Sequence, residues 1–296
     1  MEQKVNLPFC KIEDKNLPFV YGEFACKDGT YKKGYFFVDS GAQQNLFNEF
    51  AVQFIDENCF TGKQHNLTAL DNKGEKTESV NLNFKLNGED LTDEFCITHN
   101  INFYSFFEAH CVIGILGMNF LVKHGLIVDF EKRCLRTYEN ESLDFSEMDY
   151  CMPMQYGFET YGIPIVGILN GEKQFLCVAD TGCNISTFAQ KTAEEGFLKY
   201  ELTNEVFKKM MVSGTVMTRG AHATLPLFSM ADNEERFKIV EVSDTVNIMM
   251  DRDYFSTNSN DEITPICGAI GVKFMLAHKW ILDFEHMVIY SRKTSK

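Results

Sequence analysis

The stretch that decides the fold is Phe36-Phe37-Val38-Asp39-Ser40-Gly41-Ala42, and the chain repeats its plan in Cys177-Val178-Ala179-Asp180-Thr181-Gly182-Cys183. In both copies an apolar run typical of a buried strand ends in Asp, and a hydroxyl residue and Gly follow. An Asp at the end of a buried strand is unfavourable unless it is hydrogen-bonded or shares its charge. A Gly close behind it lets backbone N–H groups approach the carboxylate without a Cβ clash. The repeat therefore predicts that Asp39 and Asp180 meet and share one proton.

Further blocks recur in the same order, which indicates an internally duplicated chain. Gly114-Ile115-Leu116-Gly117 corresponds to Gly268-Ala269-Ile270-Gly271, and each half later has an apolar run that ends in Asp-Phe-Glu. The two aspartates are 141 positions apart and these later blocks are 154 apart, so the second half carries a 13-residue insertion. Residues 139–150 are acidic without a basic residue, as is typical of an exposed connector. We therefore expect two domains, residues 1–145 with Asp39 and residues 146–296 with Asp180.

Short alternating apolar segments dominate the chain, so the predicted fold class is mainly β, with few short helices. Two hairpins at corresponding places are predicted over residues 19–38 and 162–179. Four short helices are expected: residues 46–55 and 187–198 after the Asp loops, and later residues 117–124 and 271–278. The candidate tips of two flap hairpins over a groove are Asn72-Lys73-Gly74 and residues 211–220.

Charge and hydropathy argue against several kinds of partner. The 296 residues carry a formal net charge of −14, from 28 Lys and Arg against 42 Asp and Glu. Nucleic acids and anionic membranes both attract clustered Lys and Arg, so neither is an expected partner. No apolar run approaches the roughly 20 residues of a membrane-spanning helix, and the start of the sequence lacks the apolar core of a secretory signal.

The cysteines and histidines show no metal-binding pattern. The ten cysteines include no Cys-x-x-Cys pair, and the seven histidines lack metal-ligand spacing, so no metal or other cofactor is expected. We interpret the cysteines as reduced core thiols, which favours a cytoplasmic location. The glycosylation acceptor Asn184-Ile185-Ser186 supports the same location, because a glycan there would occupy the predicted site.

These motifs carry a family resemblance: the chain resembles a retropepsin-like aspartic peptidase that is duplicated and fused into one chain. The two Asp loops match the family's catalytic loops, and Ile115-Leu116-Gly117 and Ala269-Ile270-Gly271 match its apolar-apolar-Gly loop. The resemblance implies two β-barrel lobes related by a pseudo-twofold axis, and a monomer, since one chain supplies both aspartates. It also implies a supporting role for the residues Ser40, Gly41, Thr181, Gly182, Gly117 and Gly271.

The activity that this resemblance implies is that of an aspartic endopeptidase acting on an extended peptide or protein substrate. The ionised member of the pair would activate a water, and the protonated member would hydrogen-bond the scissile carbonyl. The alternative is a catalytically inactive peptide-binding pseudoprotease, and a third interpretation is a precursor whose residues 1–15 occupy the groove. The intact Asp, hydroxyl and Gly residues in both copies favour the active enzyme.

Some positions depart from the family's pattern. Retropepsins usually carry an acidic residue two positions after the catalytic-loop Gly, where this chain has Gln43 and Asn184. An Arg often follows the apolar-apolar-Gly block, where this chain has Met118 and Val272. Because an amide can hydrogen-bond a peptide backbone, Gln43 and Asn184 are carried over as candidate substrate contacts. Cys183 replaces the usual small Ala, which narrows one side of the predicted site.

Overall fold

The computed structural model describes residues 5–13, 15–68, 74–98, 108–138, 147–156, 164–170, 173–194, 198–211, 214–230, 237–250 and 266–293. Their strands form three sheets, which confirms the mainly β fold class. The predicted boundary at residues 145 and 146 and most of the predicted connector lie outside the described residues. The division into two domains and the pseudo-twofold axis therefore stay predictions.

The first half of the chain consists of strands with a few short helices between them. Its strands are β1 (Asn6–Pro8), β2 (Cys10–Ile12), β3 (Lys15–Ala25), β4 (Tyr31–Val38), β5 (Leu46–Asn48), β6 (Phe60–Thr68), β7 (Gly74–Leu86), β8 (Glu89–Thr98), β9 (Val112–Leu116), β10 (Leu126–Asp129) and β11 (Cys134–Thr137). Its helices are α1 (Glu49–Val52), α2 (Met118–Lys123) and a 3-10 turn over Glu57–Cys59.

The second half contains a corresponding series of elements. Its strands are β12 (Met148–Pro153), β13 (Gln155–Tyr156), β14 (Pro164–Asn170), β15 (Lys173–Ala179), β16 (Thr187–Ala189), β17 (Lys199–Met211), β18 (Gly214–Met230), β19 (Phe237–Met249), β20 (Ile266–Ile270), β21 (Trp280–Asp283) and β22 (Val288–Arg292). Its helices are α3 (Gln190–Glu194) and α4 (Val272–Ala277).

Each half builds one eight-stranded sheet, and the two sheets have the same strand order. The first runs β2-β3-β4-β9-β5-β8-β7-β6 and the second runs β13-β14-β15-β20-β16-β19-β18-β17. In the centre of each sheet, the strand that leads into an Asp loop pairs in parallel with the strand that leads into an apolar-apolar-Gly loop. These parallel pairs are β4 with β9 and β15 with β20. The sheet order therefore places the two repeated motifs of each half at the same edge.

A six-stranded sheet joins the two halves. Its order is β1-β11-β10-β21-β22-β12, and the junction is the antiparallel pairing of β10 with β21. Both aspartates of the Asp-Phe-Glu repeats lie here and are fully buried. Asp129 Oδ2 accepts a hydrogen bond from Arg136 Nε at 3.0 Å, and Asp283 Oδ2 lies 2.9 Å from His286 Nδ1. Each buried charge thus has a partner within the sheet, which is what a buried carboxylate requires.

The two helices predicted directly after the Asp loops are wrong over their first residues, and the first also ends at Val52 instead of residue 55. Leu46–Asn48 and Thr187–Ala189 are strands that pair with β9 and β20, and only the following residues form α1 and α3. The helix α1 starts where it does because Asn48 has an extended backbone and its Oδ1 accepts the N–H of Phe50 at 3.0 Å, as an N-cap does. The helices predicted over residues 117–124 and 271–278 are confirmed as α2 and α4.

The predicted hairpins are confirmed where the structure describes them, as β3 with β4 and β14 with β15. Two long hairpins, β6 with β7 and β17 with β18, contain the candidate flaps. Residues 72–73 and 212–213, at the predicted flap tips, lie outside the described residues, as does residue 171 in the second predicted hairpin turn. None of the described helices is long and apolar enough to cross a membrane.

Candidate active site

The two Asp loops lie against each other. Strands β4 and β15 end at Val38 and Ala179, so Asp39 and Asp180 are the first residues of the loops that follow. Their side chains are hydrogen-bonded to each other, and both residues are only partly exposed to solvent. The structure thus brings together two carboxyl groups that are 141 positions apart in the sequence.

Backbone N–H groups fix the direction of each carboxyl group. The N–H of Gly41 donates to Asp39 Oδ1, and the N–H of Gly182 donates to Asp180 Oδ1, both at 2.8 Å. A Cβ atom on Gly41 would lie 2.5 Å from Asp180 Oδ1, and one on Gly182 would lie 2.5 Å from the Asp39 carboxyl group. Each glycine therefore packs against the Asp of the opposite loop, and a larger residue would separate the pair.

Two hydroxyl groups tie the loops together beneath the carboxyl groups. Thr181 Oγ1 accepts the N–H of Ser40 at 2.9 Å and donates to the carbonyl of Val38 at 2.8 Å. Ser40 Oγ accepts the N–H of Thr181 at 3.0 Å and donates to the carbonyl of Ala179 at 2.5 Å. Ser40 and Thr181 are both fully buried. Four reciprocal bonds between these buried residues thus hold the two loops at a fixed separation.

The apolar-apolar-Gly loops support the Asp loops from the side. The N–H of Met118 donates to the carbonyl of Ala42 at 2.8 Å, and the N–H of Val272 donates to the carbonyl of Cys183 at 2.7 Å. A Cβ on Gly117 would lie 2.4 Å from a backbone oxygen of the first Asp loop, and one on Gly271 would lie 2.6 Å from the carbonyl oxygen of Cys183. Glycine is required at both positions because the backbones are in direct contact.

Two further supporting residues, Asn45 and Ser186, were not found by sequence reasoning. Asn45 Oδ1 accepts the N–H of Gly117, and Ser186 Oγ accepts the N–H of Gly271, both at 3.0 Å. Both side chains are buried. Because Asn45 and Ser186 differ in residue type, their equivalence in the two halves is not obvious from the sequence. Each lies six positions after its Asp, however, and this equal spacing is a signal that could have revealed them.

The surroundings of the pair favour one shared proton. Burial, the charge of Asp180 and the hydrogen bond between the two side chains raise the pKa of Asp39 well above its usual 3.8. The N–H of Gly41 acts in the opposite direction, since it stabilises the ionised form. Two carboxyl groups in contact cannot both ionise without strong repulsion, so the proton belongs to the pair. At pH values above the ordinary Asp range, one member is an acid and the other is a base.

The two candidate substrate contacts lie in different surroundings. Gln43 is exposed, whereas Asn184 is half-buried and its Oδ1 accepts no hydrogen bond from the described residues. Their carbonyl groups accept the N–H groups of Asn119 and Lys273 at 3.1 and 2.9 Å. The structure therefore places both residues beside the loops, and their contact with substrate stays a prediction. Met118 and Val272, at the two positions where retropepsins often have an Arg, are fully buried.

Comparisons with known proteins do not assign the chain to a family. No protein-family model matches the chain, and no curated protein sequence matches it. Within the described ranges, no three His, Cys, Asp or Glu side chains are grouped as they would be around a metal ion. The pair of Asp39 and Asp180 is therefore the feature of the molecule that points to a function.

Proposed function

We propose that this protein is an aspartic endopeptidase that hydrolyses peptide bonds in an extended polypeptide. The observation that carries the proposal is the hydrogen-bonded pair of Asp39 and Asp180, with one glycine N–H on each carboxyl group. Strand ends, glycines and hydroxyl groups are arranged in the same way around both members, as expected for two groups that act on one bond. A pair of unrelated turns after strands does not require this reciprocal arrangement.

The reaction follows from the shared proton. The ionised carboxylate takes a proton from a water molecule as the water oxygen attacks the carbonyl carbon. The protonated partner hydrogen-bonds the carbonyl oxygen and gives it the proton as charge develops there, which yields a neutral tetrahedral diol. The tetrahedral diol then breaks its C–N bond as a proton passes to the leaving nitrogen, which gives a carboxylic acid and an amine. Two carboxyl groups suffice for these proton transfers, and the protein forms no covalent bond to the substrate.

The pKa of Asp39 sets the expected pH range of activity. Because its pKa is raised well above 3.8, the pair keeps one proton at pH values where an ordinary Asp is fully ionised. We expect cleavage to persist above pH 3.8 and to decline as rising pH removes this last proton. A profile that rises steadily with pH to alkaline values would contradict the shared-proton mechanism.

The test of the proposal is cleavage of a diverse peptide library from acidic to neutral pH, with and without a statine-type inhibitor. Asp39→Asn and Asp180→Asn should each reduce the rate at least ~100-fold, since each removes the acid or the base. Asp90→Asn is the matched control, because Asp90 is exposed on β8 and should leave the rate unchanged. Full activity in either single variant of the pair would refute the proposal. Inhibitor-sensitive peptide binding without cleavage would instead establish a peptide-binding pseudoprotease.

A further inference from the structure

One face of each eight-stranded sheet leads from an Asp loop to a candidate flap. In the second half, this face carries a small buried apolar cluster that includes Val178, Cys183 and Met249. Val216, on the hairpin strand β18, packs against the same cluster. Because Cys183 directly follows the catalytic-loop Gly182, this apolar face is continuous with the candidate active site.

The cross-strand register extends this face onto the outer strand of the hairpin. Thr218 is opposite Met249 on one side and opposite Phe207 on the other, so these three residues share a face. Side chains alternate along a strand, which puts Val216 on that face too. Phe207 is 40% exposed although it is apolar. The second half therefore has a row of Met249, Thr218 and Phe207, with Val216 next to Thr218 on the same face, in which Met249 is fully buried and Phe207 reaches solvent.

The first half has polar residues at the corresponding positions. Leu46 is opposite Cys96, and Thr187 is opposite Asn247, which fixes the correspondence between β8 and β19. Counting along the registers, Thr98 then corresponds to Met249, Thr77 to Thr218 and His65 to Phe207. Two of these three positions differ in character: the first half has Thr98 and His65 where the second half has Met249 and Phe207, whereas the middle position is a threonine in both halves.

His65 belongs to an ordered hydrogen-bond network on the same face of the sheet. His65 Nε2 lies 2.9 Å from Glu94 Oε1 and 3.2 Å from Ser79 Oγ, and Ser79 Oγ donates to Glu94 Oε1 at 2.6 Å. Lys63 Nζ donates to the other Glu94 oxygen at 2.8 Å. Ser79 is fully buried and already donates to the carboxylate, so this group is not a Ser-His-Glu nucleophile. The group is a polar surface patch, in which the side chains of His65 and Lys63 reach solvent.

We propose that the groove recognises its peptide asymmetrically, with apolar residues against Val216 and Phe207 and polar residues against His65 and Glu94. The substrate class is therefore a peptide segment that is apolar on one side of the scissile bond and polar on the other, bound in one direction only. This inference rests on the proposed function, because it takes the space between the two hairpins as the peptide groove. Phe207 and His65 are the specificity-determining residues, since they occupy the same register position in the two hairpins.

Selection of bound peptides tests this inference without turnover. The full-length Asp39→Asn variant would be incubated with a peptide library, and bound sequences would be aligned on their common core. We expect apolar residues to be enriched on one flank and polar residues on the other, by about tenfold, the discrimination that one added apolar contact provides in a pocket. In that background, His65→Phe should make both flanks apolar, and Phe207→His should make both flanks polar.

The control is Val206→His, which places the same side chain on the other face of the hairpin, opposite Arg219. It should leave the selection unchanged. The inference would be overturned if the peptides selected by the Asp39→Asn protein had the same composition on both flanks, or if no peptide were selected. It would also be overturned if the His65→Phe and Phe207→His variants selected the same peptides as the Asp39→Asn protein. Wild-type cleavage data separate this result from the proposed function: cleavage with symmetric flanks would refute only the asymmetry, whereas asymmetric binding without cleavage would refute only the peptidase activity.

Discussion

Replacing Thr181 by Val removes one half of the brace between the two Asp loops while keeping the shape of the side chain. The hydroxyl of Thr181 accepts the N–H of Ser40 and donates to the carbonyl of Val38, and the side chain is fully buried. Val fills the same volume, so no cavity forms. The variant therefore isolates the effect of two hydrogen bonds that join segments more than 140 positions apart.

The expected loss follows from the two backbone groups that remain. The N–H of Ser40 and the carbonyl of Val38 stay buried without a partner, and each such group costs roughly 1–3 kcal/mol. The added methyl group of Val offsets about 0.8 kcal/mol of this through apolar burial. We therefore expect the free energy of unfolding to fall by about 1–5 kcal/mol, with a central value near 3 kcal/mol.

The measurement is urea unfolding, followed by the fluorescence of Trp280. This residue is the only tryptophan, is fully buried on β21 and donates through Nε1 to the hydroxyl of Tyr150, so its emission reports on the sheet that joins the halves. Thr224→Val is the control, because its bond to Ser243 is solvent-exposed and its loss should change stability by less than ~0.5 kcal/mol. If the two variants unfolded at the same urea concentration with equal slopes, the loop brace would contribute no net stability and the reasoning would be wrong.

Three further predictions concern pH, thiol reactivity and backbone packing. Hydrogen bonds from Lys63 and Ser79 lower the pKa of Glu94 from 4.5 to about 2, so its contribution to stability is present above pH 4.5 and is lost as pH falls towards 2. The urea midpoint of the wild type should fall over this range more steeply than that of Glu94→Gln, and parallel profiles would contradict the assignment. Iodoacetamide should label the exposed Cys111 in the native protein, whereas Cys96 and Cys151, whose pKa values burial raises to about 12, should be labelled only after unfolding. Mass spectrometry measures the labelled sites, and labelling of Cys96 or Cys151 before Cys111 in the native protein would contradict this prediction. Gly114→Ala places a Cβ atom 2.2 Å from the carbonyl oxygen of Leu46, so β5 must separate from β9 and Tm should fall markedly; an unchanged Tm would show that the strands are not in direct contact.

The sequence predicted the mainly β class and the paired position of the Asp loops because both depend on local patterns that occur twice. Alternating apolar residues identify strands such as β7, and Asp followed by a hydroxyl residue and Gly marks each loop. Repetition at equal spacing then indicates that the two loops play equivalent parts. No local pattern reports which strands pair across 50 or more positions, and this information came only from the structure.

The wrong helix predictions illustrate that limit. The apolar residues from Leu46 to Ile55 have helical spacing, yet Leu46 and Phe47 pair with Ile115 and Gly114 of β9, nearly 70 positions away. These contacts override a weak local preference, and the helix is confined to the residues after Asn48. The contrast between Phe207 and His65 was hidden for the same reason, because only the strand registers show that the two residues occupy corresponding positions.

The brace between Ser40 and Thr181 has a consequence for biosynthesis. Thr181 is made 141 residues after Ser40, and at roughly 5–20 residues per second the ribosome needs about 7–28 s to reach it. During that time Asp39 has no partner, and the N–H of Ser40 lacks the hydroxyl that it contacts in the finished protein. A nascent chain of this length therefore has no shared proton and, under the proposed mechanism, cannot cut itself or its neighbours on the ribosome. Under the proposed mechanism, the order of synthesis thus delays peptidase activity until the second Asp loop has been made.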